Sequence, residues 1–167
     1  MLSSGGVHSR YNQLKGLMQG AVADGCKKLR LHVLTDGRDV PDGTSREYMS
    51  TLVNDLAALE GCDAKVASGG GRMKVTMDRY EADWAMVERG WKAHVLGEAP
   101  NKFTDPIEGL KKLKEGGDSD QYLEPFVIVD DDGKAVGTVE DDDAVVIANF
   151  RADRVVEISK AFEYPDF

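Results

Sequence analysis

Five of the nine arginines in this sequence stand in three short segments where apolar runs give way to turns: Arg38, Arg72 with Arg79, and Arg151 with Arg154. A guanidinium is planar, stays charged when half buried, and grips a carboxylate or phosphate with two parallel hydrogen bonds. Glycines sit beside these arginines or in a matching segment: Gly5 and Gly6 before His8, Gly37 before Arg38, and Gly69, Gly70 and Gly71 before Arg72. Glycine lets a backbone approach a ligand closely and offers its N–H groups to an anion. Asp39 adds a carboxylate able to move a hydroxyl proton. The chemistry implied is the holding of a small ligand with several negative charges, such as a phosphorylated acid. Taken singly, each piece has an ordinary reading. Arg151 and Arg154 could pair with Asp153 or Glu157, Asp39 could pair with Arg38, His8 could be a loop histidine, and "SGGGR" could be a flexible linker.

The elements that would position these residues follow from periodicity. "LRLHVL", Leu29 to Leu34, reads as a strand running into the turn-rich "TDGRDVPDGTS". Asp42 or Thr44 is placed to cap a helix with Tyr48, Leu52, Leu56 and Leu59 on one face. A second strand is expected from Ala64 to Ala67, before the glycine run. Trp84, Val87 and Trp91 make a helical stripe within 79–93, and Pro106 to Lys114 reads as a further helix. "PFVIVDDDGKAVGTV" reads as a hairpin with an Asp-Gly turn. "AVVIANFRADRVVEIS" reads as a buried strand, Ala144 to Ala148, passing through the two arginines into a helix. Near the start, Tyr11 to about Ala23 carries Leu14, Leu17, Met18 and Val22 at helical spacing. Strands alternating with helices predict one α/β domain: a mainly parallel central sheet flanked by helices, with a β-hairpin addition. Ligands of open α/β sheets bind beyond the carboxyl ends of strands, so the loops after Leu34, Ala67 and Ala148 are expected to open on one common edge.

The 167 residues carry a formal net charge of -9, which argues against nucleic acid or an anionic membrane as partner. No apolar run approaches the roughly 18 residues that span a bilayer. Cys26 and Cys62 lack metal or redox spacing and read as reduced packing residues of a cytosolic protein. His32 falls inside an apolar strand and reads as a satisfied core residue, and His94 has no evident partner. "DDDGKAVGTVEDDD" fails as a calcium loop, because placing Gly133 sixth puts Ile128 first and Val139 twelfth. The Walker and dinucleotide glycine spacings are absent.

In combination the segments "GGVHS", "TDGRDVPDG", "ASGGGRMKVTMDRY" and "NFRADR" resemble the phosphotransferase domain of the cofactor-independent phosphoglycerate mutases. "GGGRM" and "YEADW…VERGW…VLGEA" are similar to the form found in plants and trypanosomatids. Ser4 and Lys74 depart from the residues common at those positions, where an acidic and an aromatic side chain are usual.

The resemblance implies an isomerase of glycolysis and gluconeogenesis that interconverts 3-phosphoglycerate and 2-phosphoglycerate without 2,3-bisphosphoglycerate. It implies substrate contacts at His8, Arg38, Asp39, Arg72, Arg79, Arg151 and Arg154, with Asp39 as general acid/base. It also implies two manganese or magnesium ions, held with a nucleophilic serine by a separate phosphatase-like domain. With three histidines and no His/Asp cluster, 1–167 is read as the transferase portion alone, cut at both ends, cytoplasmic, binding no metal itself and inactive in isolation. The alternative reading is a non-catalytic anion-binding module for phosphorylated metabolites.

Overall fold

The computed structural model describes residues 1–165. Chain order begins with α1 (Tyr11–Ala23), β1 (Lys28–Thr35), α2 (Ser45–Ala57) and β2 (Asp63–Gly71). It continues with α3 (Trp84–Trp91), a π turn (Lys92–Leu96), β3 (Asn101–Phe103), α4 (Pro106–Lys114), β4 (Phe126–Ile128) and α5 (Val156–Glu163). The four strands form one open sheet in the order β1-β2-β4-β3. β1 runs parallel to β2 and β3 parallel to β4, while β2 and β4 meet antiparallel through two residue pairs. The chain is therefore α/β with a mixed, mostly parallel sheet.

The largest apolar cluster joins Leu31 and Val33 of β1, Val66 of β2, Phe126 and Ile128 of β4, Met49, Leu52 and Leu56 of α2 and Leu110 of α4. This is the helical face expected for α2, meeting the sheet. The α2 amino end is held differently from expectation. Thr44 occupies the cap position, but its hydroxyl donates to the Pro41 carbonyl. The fully buried Asp120, far along the chain, accepts instead from the Gly43 and Ser45 N–H groups and the Ser45 hydroxyl. Asp42 reaches the other way and accepts from the Asp120 N–H at 2.6 Å. The exchange clamps the 3₁₀ turn Asp120–Tyr122 onto the loop that carries Arg38. Helix α4 has the expected bounds, with Pro106 at its start and the Asp105 carboxylate accepting from the Ile107 and Glu108 N–H groups.

Three expectations fail in detail. The glycine run is not a loop: Gly69, Gly70 and Gly71 are buried inside β2. A Cβ on Gly71 would collide with the Gln121 carbonyl, so the strand can pass this tightly only without side chains. Residues 79–83 are not helical. Asp83 caps α3 there, after a loop in which Thr76, Tyr80 and Glu81 hold positive φ angles of 71°, 66° and 56°. The hairpin keeps its turn at Gly133, but its return arm is a single bridge between Val129 and Ala135.

The largest departure concerns Ala144 to Ala148. These residues form no strand, and Val145, Val146 and Ile147 are 46%, 67% and 37% exposed. Apolar β-branched runs favour a strand only when a sheet edge is there to pair with. Among the described residues the segment pairs with no strand; it lines a cavity together with the edge strand β1 instead of hydrogen-bonding to it. The helix after Arg154 does form, as α5.

Candidate active site

The amino-terminal loop, the β1–α2 loop, the end of β2 with its following loop, and the 3₁₀ turn Ala152–Arg154 meet at one cavity of about 420 Å³. All seven residues singled out from sequence line it: His8, Arg38, Asp39, Arg72, Arg79, Arg151 and Arg154. Gly5 makes the first approach possible, since a Cβ there would lie 2.6 Å from the Asp39 carbonyl oxygen.

Arg72 is the buried centre, 3% exposed at the carboxyl end of β2. Its Nη1 donates to Asp36 Oδ1 at 2.9 Å and to Asp39 Oδ2 at 3.0 Å. Asp36 is itself fixed by the Ser3 hydroxyl at 2.6 Å and by the Arg38 and Asp39 N–H groups. The loop after β1 is thus folded around a carboxylate that holds the central guanidinium. On the far wall, Arg154 Nη1 donates to the Met77 carbonyl at 2.8 Å. Burial, reinforced by the positive charges of Arg79 and Arg72, pulls its pKa down. Asp153 stands between Arg151, at 2.9 Å, and Arg79, at 3.8 Å. Arg79 also lies over the Tyr80 ring at 4.9 Å. Arg38 is exposed and has no ion pair among the described residues.

His8 is buried, and its backbone carbonyl accepts from the Phe150 N–H at 2.9 Å. Burial first, then the neighbouring Arg72, lowers its pKa, so the imidazole is neutral at pH 7. His8 Nδ1 and Arg72 Nε are both buried without a hydrogen-bond partner. Two unsatisfied nitrogens at one cavity mark a place where a polar ligand would relieve a desolvation cost.

Val7, Met73, Gln121 and Tyr122 also line the cavity and carried no signal in the sequence. Gln121 and Tyr122 reach it because Asp120 pins their turn, a contact over more than 70 residues that periodicity cannot show.

The two remaining histidines lie elsewhere. His32 Nδ1 and His94 Nδ1 each sit 2.7 Å from the Ser68 hydroxyl, and His94 Nε2 is 2.9 Å from the Thr76 hydroxyl. His94 therefore has partners that the sequence did not suggest. Burial lowers the pKa of His32 to about 4 and that of His94 to about 3. Cys26 and Cys62 are free and only partly buried, so they are not core packing residues. Among the described residues no cluster of carboxylate, imidazole and thiol groups is placed to hold a metal ion, and no helix is long and apolar enough to cross a membrane.

These features define a class: an α/β domain with an arginine-lined cavity at the carboxyl ends of the parallel strands β1 and β2. Residues 1–167 match the family model described as the BPG-independent PGAM N-terminus, and the chain belongs to that family. It is 61% identical over 170 residues to a 2,3-bisphosphoglycerate-independent phosphoglycerate mutase of Nicotiana tabacum. Its identity to the enzyme of that name from Trypanosoma brucei brucei is 56% over 171 residues. Each alignment covers all of this chain but only 30% and 31% of the relative. Leishmania mexicana phosphoglycerate mutase, known from crystal structures at low cobalt concentration, superposes with a TM-score of 0.97 and 53% identity. That match covers 99% of this chain and 31% of the other. The resemblance to the plant and trypanosomatid form stands.

Proposed function

We propose that this chain is the phosphoglycerate-holding part of a cofactor-independent phosphoglycerate mutase. The observation that carries the reading is charge convergence. Five guanidinium groups and two carboxylates, those of Asp39 and Asp153, line one cavity. Even when Asp36, which pairs with Arg72 outside the lining, is counted, there is a surplus of two positive charges in a chain of net charge -9. A phosphoryl group brings about -1.5 to -2 charges and the carboxylate of a phosphoglycerate one more, so such a ligand fits the surplus.

The side chains divide the work by setting. Arg38, exposed and without an ion pair among the described residues, is free to close on the ligand from solvent, and the exposed Arg151 would do so by leaving Asp153. Arg72 and Arg154 are fixed by Asp36, Asp39 and the Met77 carbonyl, and they present charge at no cost in ordering. Arg79 shares Asp153 with Arg151, so binding an anion redistributes an existing ion pair and strips fewer waters. His8, neutral, can donate one hydrogen bond to a ligand oxygen. Asp39 is the one carboxylate at the cavity that neighbours Arg72, and it takes or returns the proton of a glycerate hydroxyl as that oxygen loses or gains its phosphoryl group.

Two manganese or magnesium ions do not fit here. The cavity is lined by guanidinium donors, which repel a cation, and offers two carboxylates and one imidazole against five positive charges. In the proposal the ions and the acceptor serine belong to the remaining two thirds of the enzyme. Consequently 1–167 alone binds phosphoglycerate without isomerising it. The setting proposed is glycolysis and gluconeogenesis in the cytoplasm, with no requirement for 2,3-bisphosphoglycerate and no nucleic acid or membrane partner.

Calorimetric titration with 3-phosphoglycerate tests the reading. Arg151→Ala and Arg154→Ala should each weaken binding about 10- to 100-fold, the loss of a charge-assisted pair of roughly 1.5–3 kcal/mol. Lys134→Ala, in the exposed turn after β4, should leave the affinity unchanged. Equal affinities for all three variants would refute it.

A further inference from the structure

Cys26 and Cys62 are 36 residues apart in sequence, yet each stands where a helix gives way to one of two neighbouring strands. After α1 the chain turns at Gly25, with φ 102°, and the Cys26 N–H donates back to the Ala21 carbonyl at 2.9 Å. Gly61, with φ 75°, makes the corresponding turn after α2 and delivers Cys62 to the start of β2. Beside the two cysteines the backbones are already joined: the Asp63 N–H donates to the Lys27 carbonyl at 2.8 Å, and the parallel register of β1 and β2 begins at Lys28 and Asp63. The side chains meet there as well. The Cys62 thiol hydrogen-bonds to Cys26, whose own thiol donates to the Lys28 carbonyl at 3.2 Å. Neither cysteine is in a disulfide, and both are only partly buried, so solvent species reach them.

We infer that Cys26 and Cys62 form a reversible disulfide, a redox staple that ties the entry of β1 to the entry of β2 when a low-molecular-weight disulfide such as oxidised glutathione accumulates. Sulfurs already in contact need only side-chain rotation to reach the S–S bond length of about 2.05 Å. Burial first, then the neighbouring Cys26, pushes the Cys62 thiol up, which leaves the opening attack to Cys26. Its thiolate attacks one sulfur of the small disulfide and expels the first thiolate. Cys62 loses its proton and attacks the Cys26 sulfur of the mixed disulfide, and the second thiolate leaves. Two protein thiols are oxidised, one small disulfide is reduced to two thiols, and the two protons given up by the cysteines go to the leaving groups.

A reducing compartment keeps the pair as two thiols, so the bond answers a change of redox state and is not a fixed part of the fold. Once formed, it closes a loop containing β1, the turn with Arg38, and α2, and so restricts the unfolded chain. Arg38 and Arg72 stand beyond the opposite ends of the same strands, about 25 Å away at roughly 3.3 Å per residue. The staple therefore acts on stability and leaves the cavity in place. The inference holds whether or not the anion at that cavity is phosphoglycerate.

The test equilibrates the 167-residue chain in buffers of reduced and oxidised glutathione, quenches in acid, and reads intact mass, proteolytic peptides and urea unfolding. The parent should become a monomer lighter by two hydrogens, with the peptides containing Cys26 and Cys62 joined and no glutathione attached. Dithiothreitol should reverse the change. Oxidation should lower the unfolding equilibrium constant of the parent about 30- to 1000-fold. Cys26→Ser and Cys62→Ser should each stop at the mixed disulfide, carrying one glutathione, with no such stabilisation. Glutathione adducts on the parent without an internal bond, covalent dimers in place of the monomer, or an internal bond that leaves the urea midpoint unmoved or lowers it would each overturn the inference.

Discussion

Replacing Arg72 by alanine removes the only side-chain cation among the described residues that is ion-paired with two largely buried carboxylates. The Asp36 side chain is 1% exposed and that of Asp39 9%, and Arg72 Nη1 lies 2.9 and 3.0 Å from them. Breaking a buried pair by deleting one partner costs about 3–5 kcal/mol, because the charge left behind is unpaired in a poorly solvated place. Asp36 keeps three donors, from Ser3, Arg38 and Asp39, which places the expected loss toward the lower end of that range. For a chain of this length, about 3 kcal/mol corresponds to a fall in Tm of roughly 6–12 °C. Urea unfolding at pH 7 reads the loss directly. Repeating it in an Asp36→Asn background isolates the cause, since with one carboxylate neutralised the penalty for losing Arg72 should shrink by about half. A loss below about 1 kcal/mol, or one unchanged by Asp36→Asn, would show that Arg72 is held by packing and would refute the reasoning.

Two further outcomes follow from buried titratable groups outside the cavity. His32 and His94 have folded pKa values lowered to about 4 and about 3, below the ordinary 6.5, so the unfolded chain binds protons first and stability falls with pH between about 6.5 and 4. At pH 5.5 each imidazole should cost up to about 1.4 kcal/mol relative to pH 7; urea midpoints that do not move between these values would contradict it, and His32→Asn with His94→Gln should flatten the dependence. Glu157 is the opposite case: burial raises its pKa, so it favours folding at low pH and loses that contribution as pH rises. Glu157→Gln cannot ionise and keeps an oxygen for the Glu81 N–H, so it should gain stability relative to the parent at pH 8 and show no advantage at pH 4. The reverse pattern of urea midpoints would refute the assignment.

The site was legible in the sequence to the extent that it is made of charge placed at the ends of apolar runs. His8, Arg38, Asp39, Arg72, Arg79, Arg151 and Arg154 stand in short segments whose turn chemistry declares itself, and all of them line one cavity. What stayed hidden depends on partners far away in the chain. Asp120 caps α2 over a separation of 75 residues, and the glycines of β2 are strand residues because Phe126, Pro125 and Gln121 crowd them. Local propensity reports neither fact. The run from Ala144 to Ala148 shows the converse limit: its composition predicts a strand correctly only if an edge exists for it to join, and composition does not supply the edge.

The central claim is that the arginine-lined cavity binds a phosphoglycerate, and side-chain NMR of the guanidinium Nε–H groups tests it most directly. Titrating the chain with 3-phosphoglycerate should shift Arg38, Arg72, Arg79, Arg151 and Arg154 together along one saturating curve, with the His8 ring signals following it. Arg10, Arg30, Arg46 and Arg89, which do not line the cavity, should stay in place. Shifts spread over all nine arginines without saturation, or saturable shifts confined to the other four, would contradict the account.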